Sequence, residues 1–462
     1  PDKPRPNTKL VSNTYKFIDS LINKEKKYSS LIDFLEKKYP NITGIKTGEK
    51  IIQSNDFIKE IPKIISNLNN SYIYIQGPPG TGKTFQASNA IIELLKKKKK
   101  IAITGLSHKV IHNLLQKVED MAKEKQLKII GYKRGNLEDE DTIFNGDFIK
   151  THEKDPVFMN ALKIKDAGQI FAGTKYHLAS SYYDSKIDYL FIDEAGQVSL
   201  ADLISIGNIA KNIVLIGDQN QLGQPIKGTH PNESGQSILD YLLEGRDTIP
   251  ENRGIFLNKT YRMHSKINEF ISSNFYEGRL NCDERTEKRI IKFDKKYIIQ
   301  NPGIHYIEMN HKNNVQTSLE EIDTVIDLMK QMIGSEFNDN GKKRELNVKD
   351  FLIISPYNTQ VNLMIAKLEE EKIKNARVGT IDKFQGQEAP VNIISMTSSD
   401  SETLPRNKEF FFDKNRLNVA ISRAQVASII LFNPKLLEFS PKNINQIKLM
   451  NNFFKLLDYK VK

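Results

Sequence analysis

The stretch from Tyr72 to Leu95, "YIYIQGPPGTGKTFQASNAIIELL", constrains the fold more tightly than any other part of this chain. Four β-prone residues lead into a glycine-rich turn, and apolar residues at helical spacing follow, which predicts a strand, a loop and a helix. Residues Gly77 to Thr84 fit the pattern G-x-x-x-x-G-K-[ST]. Glycines in such a loop let backbone N–H groups close around a phosphate. The stretch therefore predicts an α/β fold that binds phosphate at this loop.

The loop supplies the first set of candidate site residues. They are Gly77, Pro78, Pro79, Gly80, Thr81, Gly82, Lys83 and Thr84. We expect Lys83 to reach the β- and γ-phosphates of a nucleotide and Thr84 to hold magnesium. A purely structural glycine turn is the alternative, but an accidental match would rarely lie between a strand and a helix.

The composition excludes several classes of protein. The chain has 462 residues, 39% of them hydrophobic, which is enough for two or three domains with sizeable cores. The single cysteine, Cys282, excludes an internal disulfide and any four-cysteine metal site, and it fits a reducing cytoplasm. No apolar run approaches the roughly 18 residues of a membrane span. Because the start "PDKPRPNTKL" has neither a signal core nor an initiator methionine, we expect a processed form or a fragment of a longer cytoplasmic protein.

The charge favours a polyanionic partner. The formal net charge is +11, with 68 Lys and Arg against 57 Asp and Glu. The most basic run, Lys96 to Lys100, follows the helix after the phosphate loop, where positive charge complements a helix C-terminus. We interpret this run as a solvated face, with a nucleic-acid contact as the alternative.

The pattern along the chain predicts a helical N-terminal stalk at residues 1–45, a first α/β domain at 46–250 and a second at 251–462. The predicted buried strands of the first domain are "YIYI" from Tyr72, "IAIT" from Ile101, "IFAGT" from Ile170, "YLFID" from Tyr189 and "IVLIGD" from Ile213. A second set begins near Gly254 and includes "FLIIS" from Phe351, "VNIISM" from Val391 and "ASIILF" from Ala427. Strands that alternate with helices predict parallel sheets covered on both faces. The charged sequence at about 112–166 lacks this strand pattern and predicts a mostly helical insertion.

Two polar clusters follow predicted strands. Asp193 and Glu194 end the "YLFID" strand, an arrangement that lets one carboxylate hold Mg²⁺ while its neighbour deprotonates water. An acidic turn without chemistry is the alternative. Asp218 and Gln221 follow the "IVLIGD" strand, where ligands gather in open α/β sheets, and Gln221 is placed to sense the γ-phosphate or the attacking water.

Nine motifs occur in order between about residues 70 and 435: "GPPGTGKT", "GLSHKVIHNLL", "AGTKYHLAS", "DEAGQ", "GDQNQLGQP", "KTYRMHSKINEFISSNFYEGRL", "SPYNTQV", "VGTIDKFQGQEAPVNIISM" and "RLNVAISRAQ". In this order they resemble the superfamily 1 helicases of the 5′-to-3′ branch, the group containing the nonsense-mediated-decay helicase and the Okazaki-fragment-processing nuclease-helicase. The resemblance implies two tandem RecA-like domains of the phosphate-loop NTPase class. It also implies that ATP and Mg²⁺ power stepping along a single strand of nucleic acid.

The resemblance implies nucleotide-binding roles for further residues. Arg262 in "TYRMH" and Arg423 in "ISRA" match the arginines that reach the γ-phosphate, where an always-charged guanidinium stabilises transition-state charge. Tyr261 matches the residue that stacks on adenine. Gly386 and Glu388 in "FQGQE" match the segment that touches the nucleotide and links it to the nucleic-acid track.

The resemblance also implies contacts to the strand backbone. The matching positions are Ser107, His108, Thr174, Pro356, Tyr357, Asn358 and Thr380. Phosphate contacts and stacking are the interactions by which single strands are held without sequence preference. Ordinary surface polar residues are the alternative interpretation at each position.

Two departures from the family pattern bear on function. The glutamine that reads adenine ahead of the phosphate loop has no clear match, because Gln53 stands too far upstream and Glu60 stands nearer the expected place. Preference for ATP over other nucleotides is therefore an open question at this stage. Relatives also carry a small β-barrel that the first 50 residues cannot supply, so either the strand-separating accessory is missing or the chain is a fragment whose barrel, or a fused nuclease, lies upstream.

We expect a monomeric, nucleic-acid-stimulated ATPase that acts as a helicase or translocase with 5′-to-3′ direction, with DNA favoured over RNA by family analogy. The alternatives are an ATPase sensor or clamp without strand separation, or the motor portion of a larger helicase-nuclease. A GTPase switch is disfavoured because no guanine-reading [NT]-K-x-D pattern occurs with the phosphate loop and because it would leave the second α/β half unexplained.

Overall fold

The computed structural model describes residues 7–25, 27–54, 56–223, 231–294, 299, 301–402, 404, 412–438, 441 and 443–459. Contacts divide the chain into two compact units. The first comprises the described residues within Pro1–Gly77, Gly82–Gln219 and Gly223–Leu257, and the second those within Pro78–Thr81, Asn220–Leu222 and Asn258–Lys462. The last two residues of the "GDQNQLGQP" motif lie outside the described residues.

The first unit is built on a parallel sheet of eight strands. These are β1 Tyr72–Gln76, β2 Lys100–Thr104, β3 Ile130–Arg134, β4 Ile149–His152, β5 Gln169–Ala172, β6 Ile187–Ile192, β7 Ala210–Gly217 and β8 Gly254–Phe256. Their spatial order is β4-β3-β5-β2-β6-β7-β1-β8. Strand β1 is buried along its whole length, and β6 is buried everywhere except at Asp188, because parallel strands are covered on both faces.

Nine helices accompany this sheet in the described part of the first unit. They are α1 Thr8–Ile22, α2 Ser29–Leu35, α3 Phe57–Ser66, α4 Lys83–Lys96, α5 His108–Glu124, α6 Asp155–Lys163, α7 Lys175–Leu178, α8 Leu200–Ile206 and α9 Ile238–Leu243. The N-terminal stalk is helical, as predicted, and it packs against the rest of the first unit. The Asn13 side chain donates to the backbone carbonyls of Ala179 and Ser205, each at 3.1 Å, and Leu31 and Phe34 are fully buried.

The interval at 112–166 differs in one respect from the predicted helical insertion. It holds most of α5 and all of α6, but it also contributes β3 and β4, which extend the parallel sheet at one edge. The strand pattern is weak here because β3, "IGYKR", carries polar residues and β4, "IKTH", is an edge strand with half-buried and exposed positions.

The strands of the second unit are β9 Lys259–Thr260, β10 Asn281–Cys282, β11 Ile290–Ile291, β12 Gly303–Glu308, β13 Glu336–Asp339, β14 Lys342–Glu345, β15 Phe351–Ile354, β16 Arg377–Gly379, β17 Ala389–Ser395 and β18 Ala424–Phe432. Five of them form a parallel sheet with the order β12-β18-β17-β15-β16. The helices of this unit are α10 Ser265–Phe275, α11 Glu284–Glu287, α12 Leu319–Met332, α13 Asn358–Glu370, α14 Lys414–Ile421 and α15 Ile444–Asp458. Strands β11, β13 and β14 form a small antiparallel sheet.

The two parallel sheets confirm the predicted α/β class with two phosphate-loop-type domains. The segment near Gly254, which the sequence pattern groups with the second set of strands, instead forms β8 and pairs with β1 of the first sheet. Among the described helices, none combines the length and apolar character that crossing a membrane requires.

Candidate functional site

The phosphate loop links β1 to α4, as the sequence predicts. The amide of Gly77 donates to the carbonyl of Gly217 at the end of β7, which continues the sheet pairing into the loop. The ammonium of Lys83 donates to the carbonyl of Gly77 at 2.6 Å. Gly82 has φ +79° at the N-cap of α4, a conformation that glycine adopts without steric cost. Lys83 and the N-terminal N–H groups of α4 therefore form a positively polarised end, which suits an anion.

Gly80 makes the closest backbone approach in the loop. Its φ is +75°, and a Cβ atom there would lie 2.4 Å from the Cβ of Arg262 and 2.6 Å from Oγ1 of Thr260. Its carbonyl accepts from the amide of Tyr261 at 2.8 Å, and the carbonyl of Pro79 accepts from Thr260 Oγ1 at 2.9 Å. These contacts fix the loop conformation against the segment that carries Tyr261 and Arg262.

Asp193 and Glu194 stand at the carboxyl end of β6 in the same unit as Lys83. Asp193 is only 6% exposed, and burial raises its pKa to about 7, with the charge of Glu194 adding to the shift and that of Lys83 opposing it. The amide of Glu194 donates to Asp193 Oδ1 at 2.9 Å. Glu194 is half-buried and has φ +53°, a left-handed conformation that costs free energy for a residue with a side chain.

The donor set at this position fits a divalent cation. The Asp193 carboxylate and the Thr84 hydroxyl offer the hard oxygen ligands that Mg²⁺ prefers. Two adjacent carboxylates in a buried place repel each other, and a bound cation offsets that repulsion. That Thr84 and Asp193 would hold magnesium stays a prediction.

The segment after β7 is buried. Asp218 is 3% exposed and Gln221 is 6% exposed. The carbonyl of Gln221 accepts from the Asn415 side chain at 2.9 Å, and the carbonyl of Asn220 accepts from the Asn418 side chain at 2.7 Å. Helix α14 therefore holds the backbone around Gln221 in place within the second unit. The role of Gln221 toward a phosphate or a water molecule stays a prediction.

The second unit brings Arg262, Arg423 and Glu388 together. Arg262 is 8% exposed, and its Nε donates to Glu388 Oε2 at 2.6 Å while Nη1 donates to the carbonyl of Ser422 at 3.2 Å. Arg423 is 2% exposed, and its Nη1 donates to the carbonyl of Gln387 at 3.3 Å. Although burial opposes the shift, the charge of Arg262 holds the pKa of Glu388 below its usual range. Glu388 is therefore a carboxylate that orients Arg262.

Two other predicted nucleotide residues have distinct environments in this unit. Tyr261 is 42% exposed, and the guanidinium of Arg285 lies 5.0 Å from its ring centroid. Gly386 has φ +76° and open space around its Cα, so a side chain there is strained by backbone conformation alone. An exposed ring backed by a cation is a suitable surface for stacking.

Three predicted strand-binding residues line one groove in the first unit. Ser107, His108 and Thr174 border a cavity of about 430 Å³ together with Lys175 and Tyr176. The Ser107 side chain caps α5 by accepting from the amide of Val110, and Thr174 is the N-cap residue of α7. The N-terminus of the long helix α5 therefore opens at this groove, where positive polarisation favours phosphate.

The strand-binding positions predicted in the second unit are more varied. Asn358 is exposed at the start of α13, and Pro356 and Thr380 are half-buried. Tyr357 is only 4% exposed, and its hydroxyl accepts from Ser398 at 3.3 Å. The Tyr357 ring is thus packed inside the unit, so any contribution to strand binding comes from its backbone.

Glu60, considered for the adenine-reading position, has another structural function. Its carboxylate accepts from the amides of Gln53 and Ser54 at 2.6 and 2.8 Å and from the Ser54 hydroxyl at 2.7 Å. Gln53 donates in turn to the carbonyl of Lys50. Glu60 therefore organises the turn before α3.

Two residues that the sequence did not single out lie against the candidate sites. Arg285 stacks on Tyr261, and Lys133 contacts His108. Neither has a local sequence signal, because both contacts join segments distant along the chain.

Comparison with known proteins supports the predicted resemblance to helicases. A family model described as an AAA domain matches residues 62–226, and another of the same description matches residues 235–435. The chain is 28% identical to the DNA replication ATP-dependent helicase/nuclease dna2 of Schizosaccharomyces pombe, over 78% of this chain and 26% of that protein. It is 26% identical to the DNA polymerase alpha-associated DNA helicase A of Saccharomyces cerevisiae, over 92% of this chain and 73% of that protein.

A third relative, the ATP-dependent helicase NAM7 of Saccharomyces cerevisiae, is 27% identical over 78% of this chain and 40% of its own length. The chain thus spans about a quarter of the first relative and less than half of the third. The matches confirm the predicted resemblance and the use of ATP. Two AAA-domain models match most of the chain, and its relatives include ATP-dependent helicases, so the chain is similar to the superfamily 1 helicase group in sequence and in its parallel-sheet domains.

Proposed function

We propose that this chain is an ATP-dependent helicase or translocase that moves 5′ to 3′ along single-stranded nucleic acid, with DNA favoured over RNA. The observation that carries the proposal is that the first unit combines Lys83 at the end of the phosphate loop, the Asp193–Glu194 pair and a groove lined by Ser107, His108 and Thr174. ATP hydrolysis and strand contact thus belong to the same sheet. Cytoplasmic location and a monomeric state stay predictions.

The reaction assigns a separate task to each group. Lys83 and the loop amides bind the β- and γ-phosphates, and Glu194 takes the proton from the attacking water. When bound, Mg²⁺ neutralises charge on the phosphate oxygens, and Thr84 and Asp193 would hold it. Arg262 and Arg423 stabilise the charge that develops on the γ-phosphate, with Glu388 orienting Arg262. Tyr261 stacks on the base of the nucleotide.

ATP hydrolysis can drive movement only if it changes the affinity of the protein for the strand. The groove residues follow β2 and β5. Strand β2 pairs with β6, the strand before Asp193, and β5 pairs with β2 on its other side. A shift at Asp193 and Glu194 is thereby transmitted along adjacent strand ends to Ser107 and Thr174. This short connection supports coupling between nucleotide state and strand affinity.

An ATPase clamp that grips a strand without separating duplexes is the second candidate. The described features that support hydrolysis and strand contact serve a clamp equally well. ATPase activity that a strand stimulates, without any displacement of a paired strand, would favour it.

The decisive experiment measures ATPase turnover with single-stranded DNA and single-stranded RNA in parallel at one salt concentration. We expect stimulation by strand, and more by DNA than by RNA. Lys83→Ala should abolish nucleotide binding and turnover because it removes the charge that faces the phosphates, while Lys98→Ala, in the exposed lysine run after α4, should change neither. Normal nucleotide affinity in Lys83→Ala would contradict the assignment of the loop.

A further inference from the structure

Lys133 on β3 is completely buried directly behind the groove residue His108. Its exposure is 0%, and its Nζ lies 2.8 Å from Nδ1 of His108, 2.6 Å from the carbonyl of Arg134 and 2.7 Å from the carbonyl of Thr142. A lysine ammonium has three N–H donors, so these three neighbours match its full donor capacity.

This geometry fixes the state of the His108 ring. The carbonyls of Arg134 and Thr142 can only accept, and the ammonium can only donate, so Nδ1 of His108 must also accept. An imidazole whose Nδ1 accepts carries its proton on Nε2 and is neutral. Lys133 thereby selects one of the three states that a histidine ring can adopt.

Burial of Lys133 is costly for the fold. Within the described ranges no carboxylate lies at ion-pair distance from its Nζ, and burial lowers the pKa of Lys133 to about 8. The ionisable groups around it are His108, His112, His177 and Arg134, and Arg134 is paired with Asp155 at 3.0 Å. A buried cation with a shifted pKa beside a groove is a candidate for a functional role.

We propose that Lys133 is a positioning residue for strand binding, which holds His108 as the neutral Nε2–H tautomer so that the ring donates a hydrogen bond to a backbone oxygen of a strand in the groove. The inference rests on the proposed function of this groove. A His108 ring that already has its proton on Nε2 binds a strand more tightly, because no free energy is spent on changing the tautomer when the strand binds.

The contact between Lys133 and His108 predicts that donor and acceptor exchange roles at high pH. Once Lys133 loses its proton, its neutral amine has two N–H groups for the two carbonyls and a lone pair for the third neighbour. Nδ1 of His108 then becomes the donor, and Nε2 loses its proton. The tautomer of His108 should therefore change as the pH rises through about 8.

The first measurement is the tautomer of His108 by NMR of ¹⁵N-histidine-labelled protein, assigned with His108→Gln. We expect Nε2–H at pH 7 and Nδ1–H at pH 9.5 in wild type, and loss of the single preferred tautomer at pH 7 in Lys133→Met. Because the pH titration of wild-type protein does not depend on Lys133→Met, it tests the tautomer of His108 even where that variant fails to fold. An Nδ1–H ring or an imidazolium in wild type at pH 7 overturns the inference.

The second measurement is the affinity for a fluorescent single-stranded oligonucleotide at pH 7 and fixed salt. Lys133→Met should weaken binding about threefold to tenfold, the scale of one hydrogen bond, and should have no further effect in a His108→Ala background. Lys150→Met is the matched control, because this exposed lysine on neighbouring β4 also donates to a backbone carbonyl. Wild-type binding that Lys133→Met leaves unchanged overturns the positioning role alone, whereas a wild-type protein that binds no strand overturns the proposed function as well.

Discussion

Asp193 and Glu194 are adjacent carboxylates in different surroundings. Asp193 is buried, and its pKa is raised to about 7, whereas Glu194 is half-buried and has a left-handed backbone conformation. Groups that differ in this way can divide the chemistry, with one holding a cation and the other moving a proton. The left-handed conformation of Glu194 costs about 1–3 kcal/mol, so the fold stabilises it from elsewhere.

Replacing Glu194 by Gln tests whether Glu194 moves the proton while Asp193 holds the cation. The change keeps the size of the side chain and removes the group that accepts the proton, so turnover should fall by about 10²- to 10⁴-fold while ATP still binds. Strand affinity of the variant with ATP should equal that of wild type with a non-hydrolysable analogue. Steady-state ATPase assays and nucleotide-binding titrations measure both quantities.

The control for this variant is Glu138→Gln, an exposed glutamate of the same unit, which should be unaffected. Near wild-type turnover in Glu194→Gln would show that Glu194 is not the base. Loss of ATPase without any effect of ATP on strand affinity would contradict the coupling of nucleotide state to grip.

Arg423 is expected to act on turnover and not on binding. Arg423→Gln removes the permanent charge but keeps donors for the carbonyl of Gln387, so ATP affinity should change little and turnover should fall about 10³-fold. Since Arg423 is 2% exposed, thermal unfolding must be measured alongside the kinetics. A parallel fall in binding, turnover and melting temperature would assign Arg423 to the fold instead.

At the scale of elements, the phosphate loop has little room for change. A methyl group at Gly80 would overlap the Arg262 Cβ at 2.4 Å, and a left-handed residue with a side chain costs about 1–2 kcal/mol in addition. Gly80→Ala should therefore shift the loop and weaken nucleotide binding at least tenfold. Gly245→Ala is the control, because Gly245 is also left-handed, at φ +82°, but no described atom lies within 4 Å of a Cβ there. Equal nucleotide affinities in the two variants would refute the steric account.

A buried polar network stabilises the end of β17 in the second unit. Glu321 accepts from the Ser395 hydroxyl at 2.6 Å and from the amide of Thr397 at 2.9 Å, and its other oxygen lies 3.1 Å from Nε2 of His311. Thr397 has φ +72°, which is unfavourable for a β-branched residue. The Glu321 carboxylate therefore holds a strained turn.

Glu321→Gln should destabilise the fold by about 1–3 kcal/mol, because an amide cannot accept all three hydrogen bonds and one buried group stays unsatisfied. The free energy of unfolding from urea titration measures the effect. Glu369→Gln, an exposed glutamate on α13, should change it by less than about 0.5 kcal/mol. A neutral result for Glu321→Gln would mean that the turn is held by its other hydrogen bonds.

At the scale of the whole molecule, the prediction is movement from 5′ to 3′. A duplex with a 5′ single-stranded overhang should be unwound faster than the same duplex with a 3′ overhang, since the motor loads on the overhang and moves toward the junction. Strand-displacement assays with both substrates at one salt concentration measure the difference. Equal rates, or faster unwinding from a 3′ overhang, would contradict the direction. Displacement from neither substrate would favour the clamp.

The sequence by itself determined the class of fold and the chemistry of the nucleotide loop. The strands from Tyr72, Ile101, Ile213 and Phe351 were predictable because each is a short, fully apolar run followed by a turn. Lys83, Asp193 and Glu194 could be proposed as site residues because the functions predicted for them need fixed spacing from a strand end. These are local properties, which a single stretch of chain carries on its own.

Only the tertiary structure decided which distant segments meet. The segment Gly254–Phe256 joins the first sheet beside β1, and the polar strands β3 and β4 extend that sheet, because strand pairing depends on partners far along the chain. It likewise packed Tyr357 inside the second unit and placed buried Lys133 against His108. Lysine is rarely buried, so no periodicity marks such a residue, and its environment exists only once β3, α5 and the loop at Thr142 have come together.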